Sequence, residues 1–227
     1  MQLNDLGENF DRVCVPAGLV AVKPRPGFYR NHAKRLIDVL AVIVGLPFVV
    51  PLIALLALLL VMQGARPFYT SARVGRAGRT FKMLKLRTMV DDADDLLEAY
   101  LATNPSARAE WSSTQKLKDD PRITRLGRFL RKSSLDELPQ LWNVLIGDMS
   151  LVGPRPMMPS QRSIYEGLAY YRMRPGMTGF WQISDRNECG FEKRAEFDAD
   201  YDDHVSLTTD ATILLRTLAV VAKGTGY

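Results

Sequence analysis

The chain has 227 residues, and 47% of them are hydrophobic, so most of it is expected to fold rather than remain disordered. Its 30 lysines and arginines outnumber its 25 acidic residues, and the net charge of +5 favours anionic partners such as phosphates, nucleic acid or an acidic lipid surface. Cys14 and Cys189 lie too far apart for a CxxC metal site, and two histidines exclude a histidine-rich one.

The first 29 residues predict an extended N-terminal arm. Three acidic residues precede any apolar run, which argues against a signal peptide, and three prolines favour an extended chain. These residues are Asp5, Glu8, Asp11, Pro16, Pro24 and Pro26.

The next segment, residues 30–65, contains an apolar run that predicts insertion into a membrane. Residues 39–62 carry no ionisable side chain. As one helix they would reach roughly 36 Å, enough to cross a hydrocarbon core of about 30 Å. A core helix of a soluble domain is the weaker interpretation, because such a helix needs a polar face.

Two prolines and the flanking charges bear on how this segment sits in the bilayer. Pro47 and Pro51 lie one turn apart near its middle, where a bend is expected. Positive charge on both flanks favours a cytoplasmic location for both ends. We therefore expect a re-entrant, helix–break–helix anchor, and a kinked spanning helix remains the alternative. The flanking cations are Arg30, Lys34, Arg35, Arg66, Arg73, Arg76 and Arg79.

Residues 66–227 are expected to form a small cytosolic domain that begins with a β-hairpin. Gly75 and Gly78 supply the turn between two β-rich runs. Two-residue alternation places Lys85 on one face of the second strand with Phe81 and Met83. That lysine is either an anion ligand or part of a solvated strand edge.

Two helices are predicted after the hairpin. Residues 91–102 form an acidic-capped helix, which we interpret as capping chemistry rather than a metal site, and a connector begins at Trp111. A second helix is expected to begin at Asp120-Pro121. It is basic and amphipathic, includes Arg131, and suits an anionic membrane surface or a phosphate ligand, unless it is simply a solvated charged face.

The following segment brings two adjacent carboxylates close to cations. Ser134 and Glu137 match a capping box, so Asp136 and Glu137 would open a helix that ends near Gly147. Arg155 follows between two prolines that would hold its guanidinium group against a phosphate. A carboxylate flanked by cations stays ionised and can attack phosphorus, while its neighbour can ligate Mg²⁺. Ordinary capping with surface ion pairs explains the same spacing.

The C-terminal part offers one more candidate ligand and one more helix. Arg186 follows a turn-rich stretch and is a candidate phosphate or sugar contact. Residues 208–223 predict an amphipathic helix that packs on the body or rests on lipid.

Three segments resemble the bacterial sugar transferases, the small monotopic phosphoglycosyl transferases that start polyprenyl-diphosphate-linked glycan assembly. They read FKMLKLRTM at residues 81–89, DPRITRLGRFLRKSSLDELPQLWNVLIGDMSLVGPRP at residues 120–156 and RPGMTGFWQISDRN at residues 174–187. The overall length and the C-terminal KGTGY are most similar to members that prime exopolysaccharide synthesis with galactose 1-phosphate.

The resemblance implies a mechanism and a set of site residues. Asp136 is the implied nucleophile on the β-phosphate of a UDP-sugar, and Glu137 the implied Mg²⁺ ligand. The cations expected around the phosphates are Lys85, Arg131, Arg155 and Arg186. UMP leaves, and polyprenyl (undecaprenyl) phosphate takes the phosphosugar from Asp136. The transferred group would be a hexose phosphate, with galactose or glucose as the sugar.

The resulting fold class is mostly helical α+β, with a re-entrant membrane anchor, a β-hairpin and interfacial amphipathic helices. Anionic lipid is an expected partner at the cytoplasmic face of the bacterial inner membrane, and nucleic acid is not, because no recognition motif accompanies the basic residues. A second copy of the chain or a downstream glycosyltransferase is left open. The rival interpretation is a non-catalytic basic scaffold anchored to the membrane.

Overall fold

A computed structural model of the chain describes residues 25–114, 117–184 and 193–222. Over these residues the fold is mostly helical α+β, as predicted, with two small two-stranded sheets. Arg186 and the two cysteines lie outside the described residues.

One long apolar helix, α1 (Lys34–Met62), follows a π-helical turn at Tyr29–Ala33. It continues through Pro47 and Pro51, so the predicted break is not observed. Each proline removes one backbone donor, and the hydrogen bonds of its apolar neighbours carry the helix across. Among the described residues, one helix, Tyr29–Met62, is long and apolar enough to cross a membrane. The re-entrant path is not confirmed.

Both halves of α1 pack on the rest of the chain. Val42 is buried in a cluster with Phe81 and Met83, whereas Leu56 and Leu60 are buried in a cluster with Leu86 and Leu130. The remaining apolar side chains of α1 are largely exposed, including Phe48 at 79%. The helix therefore presents one stripe to the body and its other faces outward.

The predicted hairpin is confirmed. Strands β1 (Phe68–Val74) and β2 (Thr80–Leu86) are antiparallel, and Ala77 and Gly78 take left-handed backbone conformations in the turn between them. Alternation along β2 directs Phe81 and Met83 to one core cluster and Leu86 to the other. Strand β2 therefore contributes side chains to both of the clusters in which α1 is buried.

Two helices follow the hairpin where one helix and a connector were predicted. Helix α2 (Ala93–Thr103) is confirmed and ends at Asn104. A new helix, α3 (Pro105–Thr114), begins at once and contains Trp111, so the predicted connector is wrong there. Pro105 is compatible with the first position of a helix, where no intrahelical donor is required.

The basic helix α4 (Arg125–Lys132) begins later than predicted. Ile123 forms an antiparallel bridge with Met89, which keeps the backbone extended up to Thr124. The Thr124 hydroxyl then accepts a hydrogen bond from the Gly127 N–H and caps the helix. A tertiary backbone contact, rather than Asp120-Pro121, therefore sets where α4 starts.

The C-terminal part adds a parallel sheet that was not predicted. Strand β3 (Ser150–Val152) pairs with β4 (Gly176–Thr178), and helix α5 (Gln140–Ile146) precedes them. A Cβ atom on Gly179 would lie 2.1 Å from the Gly153 carbonyl oxygen, so this approach requires glycine. The remaining helices are α6 (Ala169–Arg172), α7 (Phe180–Ile183), α8 (Lys193–His204) and α9 (Leu207–Ala222), and α9 confirms the predicted C-terminal helix.

Candidate active site

Asp136 and Glu137 lie in a single 3-10 turn, Leu135–Glu137, between α4 and α5. The predicted capping box is wrong: Ser134 takes a left-handed conformation (φ 56°) and its side chain makes no capping hydrogen bond. Leu135 packs against the cluster that contains Leu130 and Leu86. The turn is therefore fixed by an apolar anchor, and its two carboxylates are left for other contacts.

Lys85 reaches both carboxylates from strand β2. Its Nζ lies 2.7 Å from Glu137 Oε1 and 3.7 Å from Asp136 Oδ2. The ammonium group thus forms a hydrogen-bonded ion pair with Glu137 and a longer electrostatic contact with Asp136. The structure brings these three predicted site residues together.

Burial dominates the electrostatics of Asp136. Its side chain is only 10% exposed, and loss of hydration raises its pKa above the ordinary aspartate value. Glu137 raises this pKa further, while Lys85 and Arg131 lower it without cancelling the effect of burial. The nearby cations therefore only partly offset the desolvation of this carboxyl.

Arg131 approaches the pair from the last turn of α4. Its Nε donates to the Thr88 hydroxyl at 2.9 Å, which fixes the orientation of the guanidinium group. Burial lowers the pKa of Arg131, and the Asp136 charge acts in the opposite direction. A partly desolvated guanidinium group beside a carboxylate is well suited to an incoming phosphate.

The other two predicted cations have different positions. Arg155 is exposed in the loop after β3, and its charge lowers the pKa of Arg73 and of Arg194, two guanidinium groups whose pKa values burial already depresses. Within the described ranges, no hydrogen bond or ion pair joins Arg155 to Asp136 or Glu137. Arg186 lies in the segment 185–192, outside those ranges.

Asn143, which the sequence did not single out, ties the site together. Its side-chain oxygen accepts from Leu84 N at 2.9 Å, and its side-chain nitrogen donates to the Lys82 carbonyl at 2.8 Å. These bonds clamp α5 to the strand that carries Lys85. A buried asparagine in a mostly apolar helix is a weak signal of such a clamp, but only the fold shows which strand it holds.

The donor set fits a divalent cation that is shared with substrate. Among the described residues, no group of three or more His, Cys, Asp or Glu side chains converges on one point. Mg²⁺ is commonly held by one or two carboxylates together with substrate phosphates. Two adjacent carboxylates match that pattern better than a site made wholly by protein ligands.

Comparison with known proteins identifies the family of the chain. The family model for bacterial sugar transferases matches residues 29–224. The chain is 48% identical over 195 residues to the UDP-galactose-lipid carrier transferase of Erwinia amylovora, covering 85% of this chain and 41% of that protein. It is 44% identical over 215 residues to the exopolysaccharide production protein ExoY of Rhizobium meliloti, covering 93% of each. It is 46% identical over 195 residues to the undecaprenyl-phosphate galactose phosphotransferase of Salmonella typhimurium, covering 85% of this chain and 41% of that protein.

The chain belongs to the bacterial sugar transferase family. The prediction of an enzyme of the phosphoglycosyl transferase class is thereby confirmed. The chain spans nearly the full length of the Rhizobium relative but less than half of the Erwinia and Salmonella relatives.

Proposed function

We propose that this enzyme transfers a sugar 1-phosphate from a UDP-sugar to polyprenyl phosphate and thereby primes exopolysaccharide synthesis. The observation that carries the proposal is the buried Asp136 carboxyl, placed 3.7 Å from the Lys85 ammonium group and next to Glu137. The names of the relatives support these substrates: one is an undecaprenyl-phosphate galactose phosphotransferase, and another is a UDP-galactose-lipid carrier transferase.

In the first half-reaction, a carboxylate oxygen of Asp136 attacks the β-phosphorus of the UDP-sugar. The new bond is an acyl phosphate, and the bond from the β-phosphorus to the bridging oxygen breaks, so that UMP leaves with that oxygen. Lys85 and Arg131 stabilise the charge on the phosphoryl oxygens. The poorly hydrated Asp136 carboxylate sheds little water before it attacks.

In the second half-reaction, a phosphate oxygen of the polyprenyl phosphate attacks the same phosphorus. The bond between phosphorus and Asp136 breaks, which restores the carboxylate and gives polyprenyl-diphosphate-sugar. Glu137, with the substrate phosphates, would hold Mg²⁺, which supplies neutralisation of the diphosphate charge. One carboxylate thus serves a soluble and a lipid substrate in turn.

The intermediate is tested by withholding the lipid acceptor. Membrane-embedded enzyme with UDP-galactose and Mg²⁺ should release UMP in stoichiometric amount with the enzyme, and mass spectrometry should find a hexose phosphate on Asp136. Asp91→Asn is a matched control, since this exposed aspartate forms its ion pair with Arg87, away from the site. An adduct on another residue, or UMP release by Asp136→Asn at the wild-type rate, would contradict the proposal.

Galactose is the sugar that the relatives' names favour. A panel of UDP-galactose, UDP-glucose and UDP-N-acetylgalactosamine, scored by UMP release, should rank UDP-galactose first by kcat/KM. A tenfold or greater preference corresponds to about 1.4 kcal/mol in transition-state binding. Equal kcat/KM values across the panel would rule out selection of the sugar at this step.

We also propose that α1 lies in the cytoplasmic leaflet of the bacterial inner membrane without crossing it, so that both of its ends face the cytoplasm. Val42 and Leu60, about 27 Å apart along a helix, both pack against the same body. A helix that crossed the bilayer would carry Leu60 to the side opposite Val42, away from that body. The contacts therefore support an anchor that lies along the membrane surface layer, with the body beneath it.

Cysteine labelling tests this topology. In a background with Cys14→Ser and Cys189→Ser, single cysteines at the exposed positions His32 and Thr70 flank α1. Both should react with a membrane-impermeant thiol reagent in inside-out vesicles, and neither in intact spheroplasts. Reaction of only one of them in each preparation would mean that α1 spans the membrane.

A further inference from the structure

A basic cavity lies apart from the candidate active site, at the start of α1. Its walls come from the π-helical turn, the first turns of α1, the hairpin turn, β3, the end of α6 with the segment after it, and the end of α8. Six cations line it: Arg30, Lys34, Arg35, Arg76, Arg172 and Arg174. The lining does not include the candidate active-site residues Lys85, Arg131, Asp136, Glu137 and Arg155.

Three of these cations form ion pairs with two carboxylates. Arg30 and Arg172 share Asp202, and Lys34 pairs with Asp210. These ion pairs hold the beginning of α1 and the preceding turn against α8 and α9, so these three cations have a structural role.

The other three cations have neutral partners or none in the described chain. Arg35 Nη2 donates to the Leu145 carbonyl at 2.8 Å, and Arg174 Nε donates to the Gly147 carbonyl at 2.9 Å, so both cap the end of α5. Arg76 is exposed and forms no ion pair with a described residue. Burial lowers the pKa of Arg174, and the charges of Arg76 and Arg35 lower it further, as expected for guanidinium groups that face one another.

Asp38 is the one carboxylate among the described residues that line the cavity, and it already accepts a hydrogen bond. Its Oδ2 accepts a hydrogen bond from the Ser150 hydroxyl at 2.6 Å. The three carboxylates Asp38, Asp202 and Asp210 balance three of the six cations, so three positive charges around the cavity remain uncompensated. An anion would relieve this repulsion.

The cavity also lies at a defined depth. Its residues from the π-helical turn and α1, from Arg30 to Asp38, end where the ionisable side chains end and the apolar run begins. Leu36 and Leu40, on other faces of the same turns, are more than half exposed. If α1 sits in the bilayer as proposed, the cavity is at headgroup level, where phosphate is the commonest anion.

We propose that this cavity binds the phosphate of an anionic lipid headgroup and that Arg76 is its freest ligand. Arg35 and Arg174 form the fixed part of the site, and Arg76 closes it from the hairpin turn. The inference rests on the proposed membrane placement of α1 but not on the reaction at Asp136.

Lipid retention by the purified full-length enzyme tests the site, without any nucleotide sugar. Native mass spectrometry in detergent, titrated with phosphatidylglycerol or phosphatidylcholine, should show preferential retention of phosphatidylglycerol. Neutralising one cation near a lipid headgroup should weaken binding about fivefold, so Arg76→Gln is expected to raise the apparent Kd for phosphatidylglycerol by that factor. Arg79→Gln, an equally exposed change in the same turn but outside the lining, should alter it less than twofold.

The outcomes separate this site from general surface charge and from the active site. Equal losses in the two variants, or no preference for phosphatidylglycerol, would overturn the proposal. Inorganic phosphate that competes as tightly as the lipid would overturn the headgroup as its source. Asp136→Asn should retain lipid like the wild type, so a failure of the reaction at Asp136 leaves this result unaffected.

Discussion

Two buried aspartates, Asp120 and Asp136, flank helix α4 and meet opposite environments. The solvent-exposed fractions of the two whole residues are nearly equal, 6% for Asp120 and 7% for Asp136. More protein atoms nevertheless surround the carboxyl of Asp136 than that of Asp120. Asp120 accepts from Arg122 Nε at 2.8 Å and Arg122 Nη2 at 2.7 Å, whereas the Lys85 ammonium group stays 3.7 Å from Asp136. One carboxylate is saturated by its partner, and the other is left available.

The pKa directions follow from this difference. Burial raises the pKa of Asp120, but the hydrogen bonds and charge of Arg122 outweigh it and leave the pKa below the ordinary value. At Asp136, burial prevails over Lys85 and Arg131, and the pKa is raised. The comparison indicates that Asp120 stabilises the fold, while Asp136 carries a cost in stability that suits a nucleophile.

The largest expected effect is on catalysis at Asp136. Asp136→Asn removes the nucleophile but keeps the shape of the side chain, so kcat should fall by about three orders of magnitude or more. UMP release in the presence of polyprenyl phosphate measures this, with the lipid acceptor and Mg²⁺ saturating. Asp91→Asn serves as the control and should retain wild-type kcat; residual activity of Asp136→Asn above one-tenth would assign the nucleophile elsewhere.

The next largest effect is on stability at Asp120. Asp120→Ala strands the buried Arg122 guanidinium group without its carboxylate, which should cost about 3 kcal/mol and roughly 10 °C in Tm. Thermal unfolding in detergent measures the shift. The double variant Asp120→Ala/Arg122→Met removes both charges and should recover much of the loss; an unchanged Tm in the single variant would refute the structural role.

The pH dependence of UMP release tests how neighbouring charges set the pKa of Asp136. Lys85 lowers the pKa of Asp136 and Glu137 raises it. Lys85→Met should therefore move the acid limb of UMP release to higher pH, because it removes a charge that favours the ionised carboxylate. Profiles normalised to their own maxima, recorded without acceptor at saturating UDP-sugar and Mg²⁺, separate this shift from the loss of rate. An acid limb that stays in place in Lys85→Met, or moves to lower pH, would mean that another group controls it.

Sequence patterns predicted those parts of the fold whose signals are local. The hairpin was visible from two glycines and alternating side chains, and α9 from its apolar period and end signals. The start of α4 was not, because the Met89–Ile123 bridge that delays it joins residues far apart in the chain. The strands β3 and β4 are too short, at three residues each, to show a period.

At the candidate active site, too, local sequence signals were predictive and contacts between distant residues were not. Motif resemblance brought Lys85, Arg131 and the two carboxylates onto one list, and the fold places them together. The Thr88 hydroxyl that orients Arg131 and the Asn143 clamp were missed, because each acts across more than 40 residues of chain. The raised pKa of Asp136 was also missed, since burial depends on how the chain packs and is not visible from adjacent cations.

The smallest expected effect, and the one that contrasts the two aspartates most directly, is the pH dependence of stability. Because the folded pKa of Asp136 is raised, its ionisation opposes folding; Asp136→Asn should stabilise the enzyme by about 1 kcal/mol above that folded pKa. This gain should disappear as pH falls below the ordinary aspartate pKa, where both states of the wild type are protonated. Asp120 behaves oppositely: its lowered pKa stabilises the fold above the ordinary value, and the contribution is lost as pH falls through the folded pKa. Denaturant unfolding of the wild type, Asp136→Asn and Asp120→Asn at neutral and acidic pH should therefore give stability differences of opposite sign that both shrink toward low pH. A stabilising effect of Asp120→Asn, or a destabilising one of Asp136→Asn at neutral pH, would show that the two carboxylates do not divide structure and chemistry in this way.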